Sequence, residues 1–362
     1  MSTAEAPTYV VQARTTSPPL DQFTAELGEA LKDLGFRGEE TGTAPDLVLN
    51  LIDPERPRPF RRRSRGTFVA ALHEQHVMPS DILGLNYPLL VRALANIVLC
   101  YVPGQGVWFT TLEQGRYFVP AENGISSLAR GVAARLAPLA RARMVIENEF
   151  RDDLEPELWE GDELTAELSR AGARLARLDL LPNPFPVEDL LSERDLRHIG
   201  RLYGIGGLSY GNLSARKDVS RFWMSASGVD KSRLETIGRD ILLVSGFDAE
   251  AGRMILSVPP TVEPRRVSVD AIEHWMIYGA HPAVGAILHV HAWVEGIDAT
   301  EVNFPCGSEE LARGVADLVA AQPDPSHAIV GLRNHGITAT GPSLTQILDS
   351  IDPRIVRQVP MS

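Results

Sequence analysis

Three histidines carry the strongest chemical signal in this sequence. His289 and His291 lie two residues apart in the apolar run Val284–Ala292, and His335 follows in the segment Arg333–Gly336. Residues i and i+2 of a strand project to one face, so a buried strand here presents two imidazoles side by side. With a third imidazole from another segment they can hold one divalent metal ion and leave a coordination position open for substrate. A lone histidine in an apolar run usually just packs; three in this arrangement point to a metal site. Zn2+ is the first choice for such a site, and Fe2+, Co2+ or Mn2+ also suit three imidazoles.

Two further segments have the residue types to work beside a metal. Tyr203–Asn212 holds four glycines in eight positions, and glycine lets backbone amides approach an anion or turn tightly. Downstream, Ser268 reads as the N-cap of a helix, since its hydroxyl can accept from the first free amides. That helix would set Asp270, His274 and Tyr278 at i, i+4 and i+8 along one face. His274 reads as packing, or as support for the metal ligands, rather than as a fourth ligand.

In order along the chain, Gly211–Arg216, Ser225–Asp230, Ser268–Asp270, His289–His291 and Asn334–Gly336 resemble the blocks of the class II aldolase/adducin family. That family includes fuculose-phosphate and rhamnulose-phosphate aldolases and ribulose-phosphate 4-epimerase. The resemblance runs from near Leu190 to near Leu348. It implies a central, mainly antiparallel sheet between layers of helices, a metal on His289, His291 and His335, and substrate contacts from Asn212, Ser227, Gly228 and Ser268. It implies, too, that Asp270, nineteen residues before His289, is the catalytic carboxylate. The family's usual residue there is glutamate; the 4-epimerases resemble this chain in carrying aspartate. Val269 stands where aldolases have a second serine, which leaves phosphorylation of the substrate open. No tyrosine follows Tyr278, so the family's tyrosine proton donor has no counterpart in the tail after Gly341–Leu344.

The implied activity is metal-dependent carbon–carbon cleavage of a small hydroxy-carbonyl or sugar-derived substrate through an enediolate. Epimerisation by the same retro-aldol step is the first alternative. An adducin-like binding protein without catalysis and an iron-dependent oxygenase on the same scaffold are the others. The resemblance also implies a homo-oligomer, with a fourfold-symmetric tetramer as the family form.

Composition sets the outer bounds. A chain of 362 residues is long enough for two domains. With 44% hydrophobic and 23% charged residues it is ordinary for a globular protein. A net charge of -12 argues against nucleic acid as a partner. Cys100 and Cys306 lack any metal-binding spacing and read as reduced thiols, no apolar stretch approaches a membrane span, and the first residues lack signal-peptide character. The expected location is the cytoplasm.

The elements that must position these groups fall into an α/β pattern in three parts. Residues 1–145 read as a layered α/β domain of unknown role. Strands are expected near Tyr9–Ala13, Leu47–Ile52, Phe68–Leu72 and Val98–Val102, with a hairpin over Val107–Val119. Helices are expected at Leu20–Leu34, Tyr87–Ile97 and Ile125–Arg143. No glycine-rich dinucleotide fingerprint follows the first strand. An arginine run, Arg56, Arg58, Arg61, Arg62, Arg63 and Arg65, reads as a solvated loop, with an anion site at the strand ends as the sharper reading. Residues 146–186 read as a charged helical linker ending in a proline cluster. Residues 187–362 form the aldolase-like domain.

Overall fold

The computed structural model describes residues 6–40, 44–64, 66–112, 114–182, 187–197 and 210–361. They fall into two compact units, each with its own sheet. The first comprises the described residues up to Arg141, together with 187–197 and Met361. The second comprises those from Ala142 to Pro182 and from Tyr210 to Pro360.

The first unit is built on seven strands: β1 (Thr8–Ala13), β2 (Arg37–Glu39), β3 (Leu47–Leu51), β4 (Phe68–Glu74), β5 (Ile97–Val102), β6 (Gly106–Thr111) and β7 (Gly115–Pro120). Their order is β2-β1-β3-β4-β5-β6-β7. The first five run parallel, and β6 and β7 close the sheet as an antiparallel hairpin. Both faces are buried. Leu47, Leu49 and Leu51 face a core shared with α1 (Pro18–Asp33) and α3 (Ile125–Arg141). Val48 and Ile52 face α2 (Ile82–Arg92) through Leu89 and Leu90. Burial on both sides is why these strands read as continuous apolar runs.

Helix α2 begins five residues earlier than the sequence pattern predicts. The Asp81 carboxylate accepts from the Gly84 amide and caps it there, and Pro88 lies inside the helix rather than at its start. The expected anion site gains no support. The N-terminus of α1 is capped by Ser17, whose hydroxyl donates to the Glu74 carboxylate, so the charge beside it is already negative. Arg62 is held by the Leu94 carbonyl and by Asn96 Oδ1, at 2.9 and 2.7 Å. Arg56, Arg58, Arg61 and Arg63 are exposed, as a solvated loop requires, and Arg65 lies outside the described residues.

The second unit holds an eight-stranded sheet. Its strands are β8 (Glu147–Arg151), β9 (Asn212–Arg216), β10 (Phe222–Ser225), β11 (Ile241–Asp248), β12 (Arg253–Ser257), β13 (Ala286–Val290), β15 (Ile329–Leu332) and β16 (Gly336–Gly341), in the order β15-β16-β13-β9-β10-β11-β12-β8. Every neighbouring pair is antiparallel except β12 with β8. A two-stranded ribbon, β14 (Trp293–Val294) with β17 (Ile355–Val356), stands apart from it. The protein is thus of mixed α/β class, with a mainly antiparallel sheet in the second unit. Helices α4 (Glu163–Arg177) and α8 (Leu344–Ile351) pack together and against β9. Helix α6 (Ala271–Ala280) packs against α7 (Glu309–Ala321) and β11, and a four-residue turn, α5 (Val187–Leu190), belongs to the first unit. Phe222 and Trp223 mark the two faces: the first stacks near His274 and Tyr278 of α6, and the second donates its indole N–H to Asp162 at the start of α4.

The described residues of the expected linker, 146–182, belong to the second unit. Strand β8 extends the sheet, and α4 buries Leu168, Ala171 and Leu175 in the second core. The apolar stripe at i, i+3 and i+7 explains why α4 docks, and an Asp162–Thr165 capping box fixes where it starts. The domain boundary expected at 187 is displaced as well, because 187–197 group with the first unit. Helix α4 also makes a tight crossing. A Cβ on Gly172 would lie 1.9 Å from the Lys231 carbonyl oxygen, so only glycine allows the helix to pass. Gly172→Ala is therefore expected to cost about 1–3 kcal/mol by overpacking. It should appear as a lower urea midpoint at unchanged slope; an unmoved midpoint would show that this crossing is not tight. Among the described residues no helix is long and apolar enough to cross a membrane.

Candidate metal centre

Strand β13 is buried along its whole length and pairs with β9 on one side and β16 on the other. His289 stands opposite Asn212 of β9 and Thr338 of β16, and His291 lies just beyond the strand end. His335 occupies the turn between β15 and β16. Two features of that turn explain its residues. Asn334 adopts φ 59°, which asparagine tolerates better than most side chains. At Gly336 a Cβ would come within 2.2 Å of the Val290 carbonyl oxygen, so the third histidine reaches the first two only because this position has no side chain.

The three imidazoles converge. Their ring centroids lie 4.5–5.2 Å apart, and one ligand nitrogen from each falls within 4.8 Å of the others. His335 Nε2 and His291 Nε2 are 3.0 Å apart. Donor atoms around one tetrahedral zinc, with bonds of about 2.0–2.1 Å, stand roughly 3.3 Å from each other. His289 Nδ1 donates to the Ile337 carbonyl at 3.0 Å, which fixes the tautomer and leaves Nε2 with its lone pair bare. That Nε2 and His291 Nδ1 are buried and have no hydrogen-bond partner. Burial pushes all three rings below the usual histidine range, so they are neutral donors. An unsatisfied buried nitrogen is costly unless something binds it. The donor set fits a divalent ion.

A layer of hydrogen bonds fastens α6 to this face of the sheet. Asn212 Nδ2 donates to Asp270 Oδ2 at 2.7 Å, and Thr338 Oγ1 donates to Glu273 Oε1 at 2.6 Å. Ser214 Oγ bonds both His274 Nδ1, at 2.7 Å, and the Tyr278 hydroxyl, at 2.8 Å. His274 is thus held by β9 and lies outside the group of three, as its reading as a supporting residue expects; burial brings its pKa down to about 3. Asp270 is only 6% exposed, and its Oδ1 has no partner. Ser268 does not cap the helix. Asp270 occupies the N-cap position, with its carboxylate turned from the helix amides to Asn212.

The expected substrate contacts also come together in part. An isolated bridge pairs Ala226 with Val267, the Ser227 amide donates to the Arg266 carbonyl at 2.9 Å, and the Ser268 amide donates to the Ser225 carbonyl at 3.3 Å. Ser227, Gly228 and Ser268 therefore meet in one place, with Gly228 at φ 67°. Asn212 Nδ2 is committed to Asp270, while its buried Oδ1 has no partner. Of the glycine-rich segment, only Tyr210 to Asn212 lie within the described residues.

Three residues at the site escape sequence reasoning. Glu273 is buried one turn after Asp270, and burial with that neighbouring charge pushes its carboxyl up to about 8, so it is a neutral acid at pH 7. Cys306 lies with its sulfur 3.4 Å from His335 Nε2. Lys231 is 3% exposed, and burial lowers its amine to about 8. An acid inside the mostly apolar stretch Ala271–Ala280 was a legible sign; the lone cysteine carried none.

Residues 196–294 match the family described as Class II Aldolase and Adducin N-terminal domain. The match includes Asp270, His289 and His291 and ends before His335. No curated protein matches the chain. Among solved structures, the putative aldolase/epimerase/decarboxylase YgbL from Klebsiella pneumoniae is 19% identical, covering 53% of this chain and 84% of its own, with a TM-score of 0.34. An L-fuculose 1-phosphate aldolase is 19% identical over 53% of this chain and 83% of its own, with a TM-score of 0.35. The L-fuculose-1-phosphate aldolase from Thermus thermophilus is 19% identical over 53% and 90%, with a TM-score of 0.33.

Proposed function

Since residues 196–294 match the class II aldolase/adducin family, we propose that the protein is a divalent-metal-dependent carbon–carbon lyase. Its substrate would be a small hydroxy-carbonyl or sugar-derived compound. The observation that carries this reading is the convergence of three buried neutral imidazoles, two with a nitrogen that has no partner, beside Asn212, which holds a buried carboxylate with one bare oxygen. His289, His291 and His335 would hold the ion, with Zn2+ first and Fe2+, Co2+ or Mn2+ as alternatives. When bound, it supplies Lewis-acid polarisation of a substrate carbonyl.

The chain's own groups do the rest. Asp270, held by Asn212, takes a proton from the carbon next to the carbonyl and returns one to it. The neutral state of Glu273 keeps a second negative charge away from that carboxylate. Ser227, Gly228 and Ser268 grip the far end of the substrate, and homo-oligomeric assembly completes the proposal. Retro-aldol epimerisation is the second reading, favoured by aspartate rather than glutamate at 270. Both readings require an enediolate, and its formation can be seen without knowing the full substrate. Metal-loaded protein in D2O should exchange a carbon-bound hydrogen of dihydroxyacetone, its phosphate or hydroxypyruvate, followed by proton NMR. Exchange should disappear on chelation; no metal-dependent exchange in any of the three would overturn the lyase reading.

A further inference from the structure

The three imidazoles are not equally covered. His289 is fully buried, with a partner strand on each side. His335 is 3% exposed, with the Cys306 sulfur 3.4 and 3.5 Å from its two ring nitrogens. His291, just past the end of β13, is the most open of the three, at 9%. The covering is thinnest beside His291, so a ligand reaches the group from that side. The ring that stands there is Tyr210, its centroid 5.3 Å from that of His291 and the two planes at 50°.

Tyr210 is held in place from two directions. Its amide donates to the Leu181 carbonyl at 2.7 Å. The next residue, Gly211, turns with φ 72°, and a Cβ there would lie 2.4 Å from the His289 carbonyl oxygen. That close pass sets the tyrosine backbone against the end of β13, two residues before β9 begins at Asn212. The side chain belongs to a half-buried residue, so part of it faces outward. Tyrosine suits such a place, because it offers a large rigid apolar ring with a polar tip at little conformational cost.

We propose that Tyr210 is a substrate-binding residue, the aromatic wall against which the carbon chain of the substrate lies once its carbonyl end is at the metal. This rests on the enediolate reading above and deepens it. In that reading the carbonyl end is chelated, Asp270 serves the neighbouring carbon, and Ser227, Gly228 and Ser268 hold the far end. A wall that touches one ligand histidine from outside meets the carbons beyond the chelated pair rather than the pair itself. An aromatic ring takes the C–H face of a chain whose hydroxyls point elsewhere. The substrate class it fits is a sugar-derived chain longer than the chelated fragment.

Two measurements on the metal-loaded protein test this. The chain has seven tyrosines, and with 3-fluorotyrosine in their place the Tyr210 resonance is the one missing from Tyr210→Phe. Threonohydroxamate, a chelator shaped like an enediolate with a polyol chain attached, should shift that 19F resonance on binding. Glycolohydroxamate, the same head without the chain, should shift it less. In Tyr210→Ala, threonohydroxamate should bind about five- to tenfold more weakly, the scale of one aromatic contact. Metal content and glycolohydroxamate affinity should stay as they are in the parent. The resonance shift is read on the parent chain, so it stands even if the alanine variant fails to fold. Threonohydroxamate binding with no change at the Tyr210 resonance, or an equal loss for both chelators in Tyr210→Ala, would overturn the proposal. Binding of neither chelator by the parent protein would remove the enediolate reading, and the proposal with it.

Discussion

Replacement of His289 by alanine is expected to remove the bound divalent ion and, with it, all measurable deuterium exchange. His289 is central to the group: it sits mid-sheet with a partner strand on each side, and its Nδ1 is spent on the Ile337 carbonyl. No rotation of another side chain can replace an Nε2 aimed by two strands. With two imidazoles left, the ion loses a third of its protein ligands, and binding should weaken beyond what survives dialysis. Elemental analysis should show close to one equivalent of metal in the parent protein and about a tenth or less in the variant. The fold should persist, since the core of the second unit is a large apolar cluster around the site. Full occupancy in a variant with all three histidines replaced would place the metal elsewhere and end the assignment.

The metal group was legible because it follows from the period of a strand. His289 and His291 share a face by alternation, and the apolar residues around them announce a strand buried on both sides. The asparagine and glycine beside His335 were legible as a motif, but their reason, a left-handed turn and a close pass of Val290, is tertiary. Lys231 was invisible for the same cause. Its burial follows from a helix crossing at Gly172, distant in sequence, and nothing local to Asp230–Arg233 marks it. The segment 146–186 was misread because charge hid its pattern. Strand β8 is an exposed edge whose two glutamates and one arginine leave no apolar alternation, and the outer face of α4 outweighs its stripe of Leu168, Ala171 and Leu175. In the first unit six of the seven strands were read and the short β2 was missed, and the strand order was not available, because the place of β1 between β2 and β3 is not written in any one segment.

Asp270→Asn should retain metal and fold while losing two or more orders of magnitude of exchange, the usual scale for general acid–base catalysis. The structure makes this a clean substitution. Asparagine has the shape of aspartate, and the carbonyl oxygen of its amide can still accept from Asn212 Nδ2, as Asp270 Oδ2 does at 2.7 Å. What changes is the oxygen with no partner, Oδ1, which becomes an amide nitrogen unable to take a proton. A purely structural role, in which Asp270 only favours the start of α6, makes a different forecast. Such a charge at a helix N-terminus is worth about 0.3–1 kcal/mol, so its loss would lower stability slightly and leave exchange near normal. The carboxylate is turned from the helix amides to Asn212 and makes no capping bond, which is why the catalytic forecast is the one we make. Comparing urea midpoint, metal content and exchange rate on one preparation separates the two. A small loss of stability with near-normal exchange would mean that another group moves the carbon-bound proton. Glu273, a buried acid one turn further along α6, would then be the first residue to replace.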